Sequence, residues 1–311
     1  MLGSIHEAED LVQEALLRAW LALEKFEHRS SLRAWLYRIA TNACLDALKR
    51  RRRRLLPDAY APPDDAIAAP AAAVDDVPWI EPYPDHLLPA EVNDPAQRYE
   101  AREAMQLAFI TAIQFLSARE RAVLILRDAL GFSARETAAI LDSSLASVNS
   151  ALGRARAALA HDERFAAARA AAAVPSKEAA VVSRYIRAWE AADVDALVAL
   201  LRDDARMTMP PTPSWYAGRE AVGAFFATFL ASELGAGSRT MPTRANRQPA
   251  LAVLARITPD AYEPIGIKVL TVDEAGQITA ITGFTDTSLF RFFELAPVRD
   301  SGDALRATSR E

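Results

Sequence analysis

The sequence predicts a multidomain chain, with two all-α blocks, the second built around a helix-turn-helix, followed by an α+β cone. Three observations predict it. Two serine capping boxes, Ser117 with Glu120 and Ser133 with Glu136, punctuate a run of short helices. An acidic stretch rich in proline and alanine separates that run from a helical N-terminus. Beyond Thr240, apolar runs alternate with turns, among them DEAGQ (Asp273 to Gln277), a hairpin signal.

Composition bounds the function. The 311 residues are 51% hydrophobic and 25% charged, with a formal net charge of −5, so any nucleic-acid contact must come from local basic patches. Cys44 is the single cysteine, which fits a reducing cytoplasm. The four histidines, His6, His28, His86 and His161, lack metal-ligand spacing, so neither a metal nor a cofactor is expected. The N-terminus is acidic and unlike a signal peptide, and no apolar run spans a bilayer, so no membrane association is expected.

The first helix, Glu7 to Leu23, sets Leu11, Ala15, Ala19 and Leu23 on one face and is mostly acidic. After the Lys25–Ser31 loop, a second helix reverses the sign: Arg33, Arg38, Lys49 and Arg50 to Arg54 face only Asp46. An arginine run suits a helix C-terminus, and it equally suits phosphate contact. Trp35 and Tyr37 among arginines fit an unstacked strand, or simply a core.

Residues 57–95 hold nine acidic residues and no Lys or Arg, which predicts an extended tether. Within it, VPWIEPYPDHLLP is too aromatic for a spacer and reads as a clasp on a neighbouring domain. A helix from Gln97 to Leu116 leads into the capping boxes. There, one helix turns Val123, Leu124, Leu126 and Leu130 inward and stops at Gly131. A second ends near Leu141, and a third runs from Leu145 to Leu159. Leu145, Val148, Leu152 and Leu159 form its apolar stripe, with Ser147, Ser150 and Arg154 opposite. Small residues and an arginine outward suit a helix entering the major groove, although a plain helical hairpin has the same spacing.

DLVQEALLRAW with KFEHRSSLRAWLYRIATNACLDALKRRRR resembles region 2 of the extracytoplasmic-function (ECF) sigma factors, and FLSARERAVLILRDALGFS opens a stretch similar to their region 4. The linker motif resembles the SigG-like subgroup, which carries a C-terminal extension. The resemblance implies a transcription initiation factor whose partners are core RNA polymerase, through the β′ clamp helices and β flap, and promoter DNA. Glu9, Asp10, Gln13 and Glu14 would then face polymerase. Arg33, Trp35, Arg38 and Asn42 would read the −10 element, and Ser147, Ser150 and Arg154 the −35 element. The family has a further helix before MLGSIHEAEDLVQ, so the chain is expected to begin inside region 2. In the family the linker threads the polymerase cleft.

An alanine-rich helical bridge, Phe165 to Val174, is expected to end at Pro175. Helices follow at Ala179–Ala192, Val194–Leu201 and Arg219–Leu230, then strands at Ala250–Ile257, Gly266–Val272 and Gln277–Phe284. VVSRYIRAWEAADVDALVALLRDDARMTMPP with WYAGREAVGAFF resembles the SnoaL-like branch of the NTF2-like superfamily, implying a pocket between sheet and helices. Trp215, Tyr216 and Glu263 are its candidate lining, for a small-molecule ligand. Asp193, Asp203 and Asp204 are expected at helix ends in capping or solvated roles. With no carboxylate–donor pair fixed, no catalytic residue is assigned. Cis regulation is the expected role, and the rival is a pocket enzyme of isomerase or cyclase type tethered to a DNA-binding module.

The expected fold is thus all-α sigma regions 2 and 4, with the helix-turn-helix, followed by an α+β NTF2-like cone. The expected boundaries are region 2 at 1–56, linker at 57–95, region 4 at 96–162, bridge at 163–177, SnoaL-like domain at 178–295 and a disordered tail at 296–311.

Overall fold

Serine side chains set five helix starts in the N-terminal half. In the computed structural model, which describes residues 1–26, 30–64, 70–88, 106–162, 165, 175–259 and 261–295, each of these five is closed by a hydroxyl accepting a backbone N–H. Ser4 caps α1 (Ile5–Ala22) and Ser31 caps α2 (Leu32–Lys49). Both expected capping boxes form, Ser117 with Glu120 at α4 (Ala118–Leu124) and Ser133 with Glu136 at α5 (Ala134–Ile140). Ser144 caps α6 (Leu145–Ala160). Between these lie α3 (Leu107–Ile113) and a π-helical turn, Ile125–Ala129, that prolongs α4.

The chain divides into two compact units. Unit 1 comprises Met1–Tyr60, Val74–Ala172 and Ala245–Arg247; unit 2 comprises Ala61–Ala73, Ala173–Arg244 and Gln248–Glu311. In unit 1, α1 keeps Leu11, Ala15 and Ala19 buried, as their spacing predicts. Leu23 departs from the expectation: the chain tightens at Leu23–Lys25, and Leu23 is 48% exposed. The core between α1 and α2 is thin, Leu2, Leu11 and Ala43 backed by Cys44, Ala47 and Leu48. A larger core gathers Phe109, Ile113, Val123, Leu126, Phe132, Ile140, Val148 and Leu152, and α2 joins it with Ala34, Tyr37 and Leu45.

The helix-turn-helix is as the punctuation predicts. Gly131 takes φ +71, which lets the chain reverse after α4. Phe132 is then buried, and Asp142 (φ +47) opens the turn into α6. On α6, Val148, Ala151, Leu152, Ala155 and Leu159 are buried. Leu145, expected on that stripe, is 46% exposed because it is the first helical residue, ahead of the packed turns.

The linker is not a bare tether over its described residues. Leu55 and Trp79 form a parallel bridge, the Ile80 N–H donates to the Leu55 carbonyl at 3.0 Å, and Trp79 and Ile80 are buried. Burial of these two side chains outweighs the local proline content, so the motif is a clasp within unit 1. Glu81 follows directly. Its Oε2 accepts from Ser4 Oγ at 2.8 Å, from the Ile5 N–H at 2.9 Å and from the His6 N–H at 3.3 Å, which closes the α1 N-terminus with a carboxylate.

Unit 2 holds a six-stranded sheet, in the order β2-β1-β6-β5-β4-β3. The strands are β1 (Leu201–Thr208), β2 (Trp215–Ala217), β3 (Arg239–Ala245), β4 (Gln248–Thr258), β5 (Ala261–Val272) and β6 (Ile278–Phe284). Three expected strands are β4 to β6, and the DEAGQ turn closes with the Asp273 N–H donating to the Gln277 carbonyl at 2.9 Å. Among the described residues, three α-helices, α7 (Pro175–Glu190), α8 (Val194–Val198) and α9 (Arg219–Ala231), and a 3-10 helix, Thr287–Phe292, complete the unit. Pro175 is the first described residue of α7; the expected bridge at 166–174 and the tail at 296–311 fall outside the described residues. The expected helix Val194–Leu201 stops at Val198, and Leu201 starts β1. Asp193 caps α8 as expected, whereas Asp203 and Asp204 lie on β1, paired with Arg219 and Arg202. Tyr185, Trp189, Phe225 and Phe226 from the helices pack on Leu251, Val253, Leu270 and Ile281 of the sheet.

Candidate nucleic-acid and polymerase interfaces

On α6, burial of Val148, Ala151 and Ala155 leaves Ser147, Ser150 and Arg154 exposed together on the other side. Arg154 is held there: its Nε donates to Glu120 Oε1 at 2.7 Å. That bond, with those from Ser117, keeps the Glu120 carboxyl below its ordinary range. One glutamate thus closes the α4 capping box and orients an arginine of α6.

On α2, Arg33, Arg38 and Asn42 are exposed and Trp35 is half-buried, its ring 5.0 Å from that of Phe26. Arg33 is engaged within unit 1, donating Nη2 to the Leu130 carbonyl at 2.8 Å and lying 4.4 Å above the Phe132 ring. Tyr37 meets the same ring edge-on at 5.2 Å. Of the loop before α2, residues 27–29 lie outside the described residues.

On α1, Asp10, Gln13 and Glu14 are exposed and Glu9 partly so. Sequence reasoning missed what lies beside them: Val12, Leu16, Leu17, Trp20 and Leu21 are all at least half exposed. The signal was available, because apolar residues occur on more of α1 than the face that Leu11, Ala15 and Ala19 bury.

Known proteins with these features agree in order and kind. Family models match at residues 1–54 (Sigma-70 region 2), 106–159 (Sigma-70, region 4) and 182–281 (SnoaL-like domain). The ECF RNA polymerase sigma factor SigG of Mycobacterium tuberculosis is 41% identical over 295 residues, covering 95% of this chain and 79% of that protein. The chain belongs to the ECF sigma factor family. The ECF RNA polymerase sigma-E factor of Escherichia coli K12 is 32% identical over 153 residues, 49% of this sigma factor and 72% of its relative. The crystal structure of the M. tuberculosis sigma factor SigJ shares the fold, with a TM-score of 0.61 at 22% identity over 94% of this chain and 93% of that one.

In the SnoaL-like domain of this sigma factor, Tyr216 is buried, its ring tilted against that of Phe225 with centroids 5.1 Å apart. Trp215 is also buried, and its Nε1 donates to the Ala61 carbonyl at 2.8 Å. Glu263 is exposed, on the outward side of β5, so the three candidate lining residues do not converge.

The residue that does point into this domain's core was missed. Lys268 lies on β5, 8% exposed, with Nζ 3.3 Å from the Trp189 ring centroid, within 6 Å of those of Tyr185, Phe226 and Phe229, and 3.4 Å from Tyr185 Oη. Burial lowers its pKa well below the ordinary 10.5. Strand alternation could have found it, because Lys268, Leu270 and Val272 share one face. No helix among the described residues is long and apolar enough to cross a membrane.

Proposed function

We propose that this sigma factor binds core RNA polymerase, recognises a promoter with −10 and −35 elements, and directs initiation of DNA-templated transcription. The observation that carries this reading is the α6 face, where two serines and a carboxylate-oriented arginine stand exposed opposite a buried stripe. Serine takes up little room, so the backbone can approach base edges, and arginine makes the bidentate contact most often found to guanine. In this reading α6 takes the −35 element. Arg33, Trp35, Arg38 and Asn42 of α2 take the −10 element. Glu9, Asp10, Gln13 and Glu14, with the apolar stripe of α1, dock on polymerase at the β′ clamp helices, and region 4 meets the β flap.

Both promoter elements cannot be engaged by unit 1 as it stands. The elements lie about 25 base pairs apart, about 85 Å of duplex at 3.4 Å per pair. Helix α2 has 18 residues and α6 has 16, so at 1.5 Å per residue the two laid end to end would fall short. Yet Arg33 touches Leu130 and Tyr37 touches Phe132. Initiation therefore requires region 2 to part from region 4. The SnoaL-like domain regulates that step in cis. Run-off transcription with purified core polymerase and a two-element promoter tests the reading. Promoter-specific transcripts are expected, and their absence with a polymerase that other sigma factors activate would refute it.

A further inference from the structure

Five arginines converge on one cavity of unit 1. Its volume is about 410 Å³, and Arg51, Arg52, Arg53 and Arg54 line it together with Arg121 and, among the described residues, a single carboxylate, Glu7. That volume lies in the range of small-molecule sites, about 300–1,000 Å³. Leu2, Leu48 and Leu116 supply apolar wall.

The charges in this cavity do not balance. Glu7 is shared by Arg51 and Arg54, and Arg54 also approaches Glu81 Oε1 at 3.6 Å. Arg53 lies 4.5 Å above the Phe115 ring, and neither it, Arg52 nor Arg121 has a carboxylate partner among the described residues. Arg121 is the decisive member. Only 5% exposed, it spends Nη1 and Nη2 on neutral oxygens: the Met1 carbonyl and Gln114 Oε1, both at 2.8 Å, and the Gln114 and Leu116 carbonyls at 3.0 and 3.4 Å. Its Nε is buried with no acceptor. Burial, with Arg53 beside it, lowers the Arg121 pKa to about 10, which leaves it charged at neutral pH. A buried, uncompensated guanidinium is costly unless an anion completes it. A solvated helix end accounts for Arg52 but not for Arg121.

We propose that this cavity binds a compact anion carrying at least two joined phosphoryl groups, the chemistry shared by pyrophosphate and nucleoside polyphosphates. Arginine forks match phosphate oxygens in pairs. One phosphate, at about −1.5 to −2, leaves three unpaired guanidinium groups unbalanced, whereas two joined phosphates match them. A concave site with its deepest cation almost wholly buried favours such an anion over the backbone of a duplex. The walls come from the end of region 2, the linker at Pro78 and the start of region 4. A bound anion would therefore tie the two regions together, a consequence that rests on the opening step proposed above.

Titration calorimetry on the full chain, at constant ionic strength with chloride as the balancing salt, tests the site without polymerase. Pyrophosphate is expected to bind one to one, about tenfold or more tighter than orthophosphate. The Arg52→Gln/Arg53→Gln variant changes exposed positions, so it folds, as circular dichroism checks, and it should lose about tenfold in affinity. ATP tighter than pyrophosphate identifies a nucleotide as the ligand; the reverse identifies the free anion. Equal affinity for pyrophosphate and orthophosphate, or an unaffected double variant, overturns the proposal. So does a short duplex that needs Arg52 and Arg53 where pyrophosphate shows no binding. Because no transcription enters the titration, a failure of the opening step cannot be mistaken for a failure of the site.

Discussion

Arg154 and Lys268 are each defined by one partner set, and each makes a measurable claim. Arg154 sits on the α6 face with its Nε on Glu120. Arg154→Ala should weaken binding to a −35 site by about 1–3 kcal/mol if the guanidinium reads a base, seen as lost discrimination against a substituted base pair. Equal weakening on every sequence would make it a phosphate contact instead. Lys268 sets two effects against each other. Its aromatic surroundings favour the ammonium by about 2 kcal/mol, whereas full burial shifts a lysine by up to about 3–5 pH units, each worth about 1.4 kcal/mol. Burial wins, and the amine is neutral over a range where the unfolded chain still holds its proton. Between the lowered folded pKa and 10.5 the unfolded state thus binds more protons, so stability rises with pH across that window. Lys268→Met should remove this rise and stabilise the SnoaL-like domain at pH 7 by about 1–3 kcal/mol, read from denaturant midpoints at neutral and alkaline pH. A variant with the same slope as the parent would show that Lys268 keeps its charge.

At the scale of elements, helix starts were legible because a capping box needs only residues three apart in the chain. Ser117, Ser133 and Gly131 did what their spacing implies. Strand β1 was not legible, since Arg202, Asp203 and Asp204 sit beside a register shift that breaks the alternation. The clasp was legible as an anomaly, through Trp79 and Ile80, but nothing local tells that Glu81 closes a helix 76 residues away. Glu81→Ala should cost unit 1 about 1–2 kcal/mol, the loss of a helix cap and of its charge interaction, measured by chemical denaturation. No loss would mean that Ser4 alone suffices. Trp35, half-buried on Phe26, links the α2 fold to its proposed task. Trp35→Ala should slow open-complex formation on duplex promoter more than on a pre-melted template, whereas equal losses would make it a packing residue.

At the scale of the whole molecule, the chain between regions 2 and 4 is divided. Residues 61–73 belong to unit 2 and residues 74–88 lie in unit 1. The first part is held by β2 and the residue before it: the Asp64 N–H donates to the Trp215 carbonyl, Trp215 Nε1 to the Ala61 carbonyl and the Ala71 N–H to Ser214 Oγ, each at 2.8 Å. The second part carries the Trp79–Glu81 clasp. If region 2 must part from region 4 during initiation, the freedom of this linker limits how far they separate. Holding Ala61, Asp64 and Ala71 on the SnoaL-like domain shortens the free length, which biases the population toward the packed form. Truncation after Val174 removes β2 and frees that segment. Promoter-dependent run-off transcription at limiting factor should then rise, while affinity for core polymerase, measured by fluorescence anisotropy, stays within a few fold. Loss of core binding would instead make the domain a brace for region 2. Unchanged transcription with unchanged affinity would sink regulation in cis and leave the SnoaL-like domain to be explained by chemistry of its own, with the buried amine of Lys268 the group to test first.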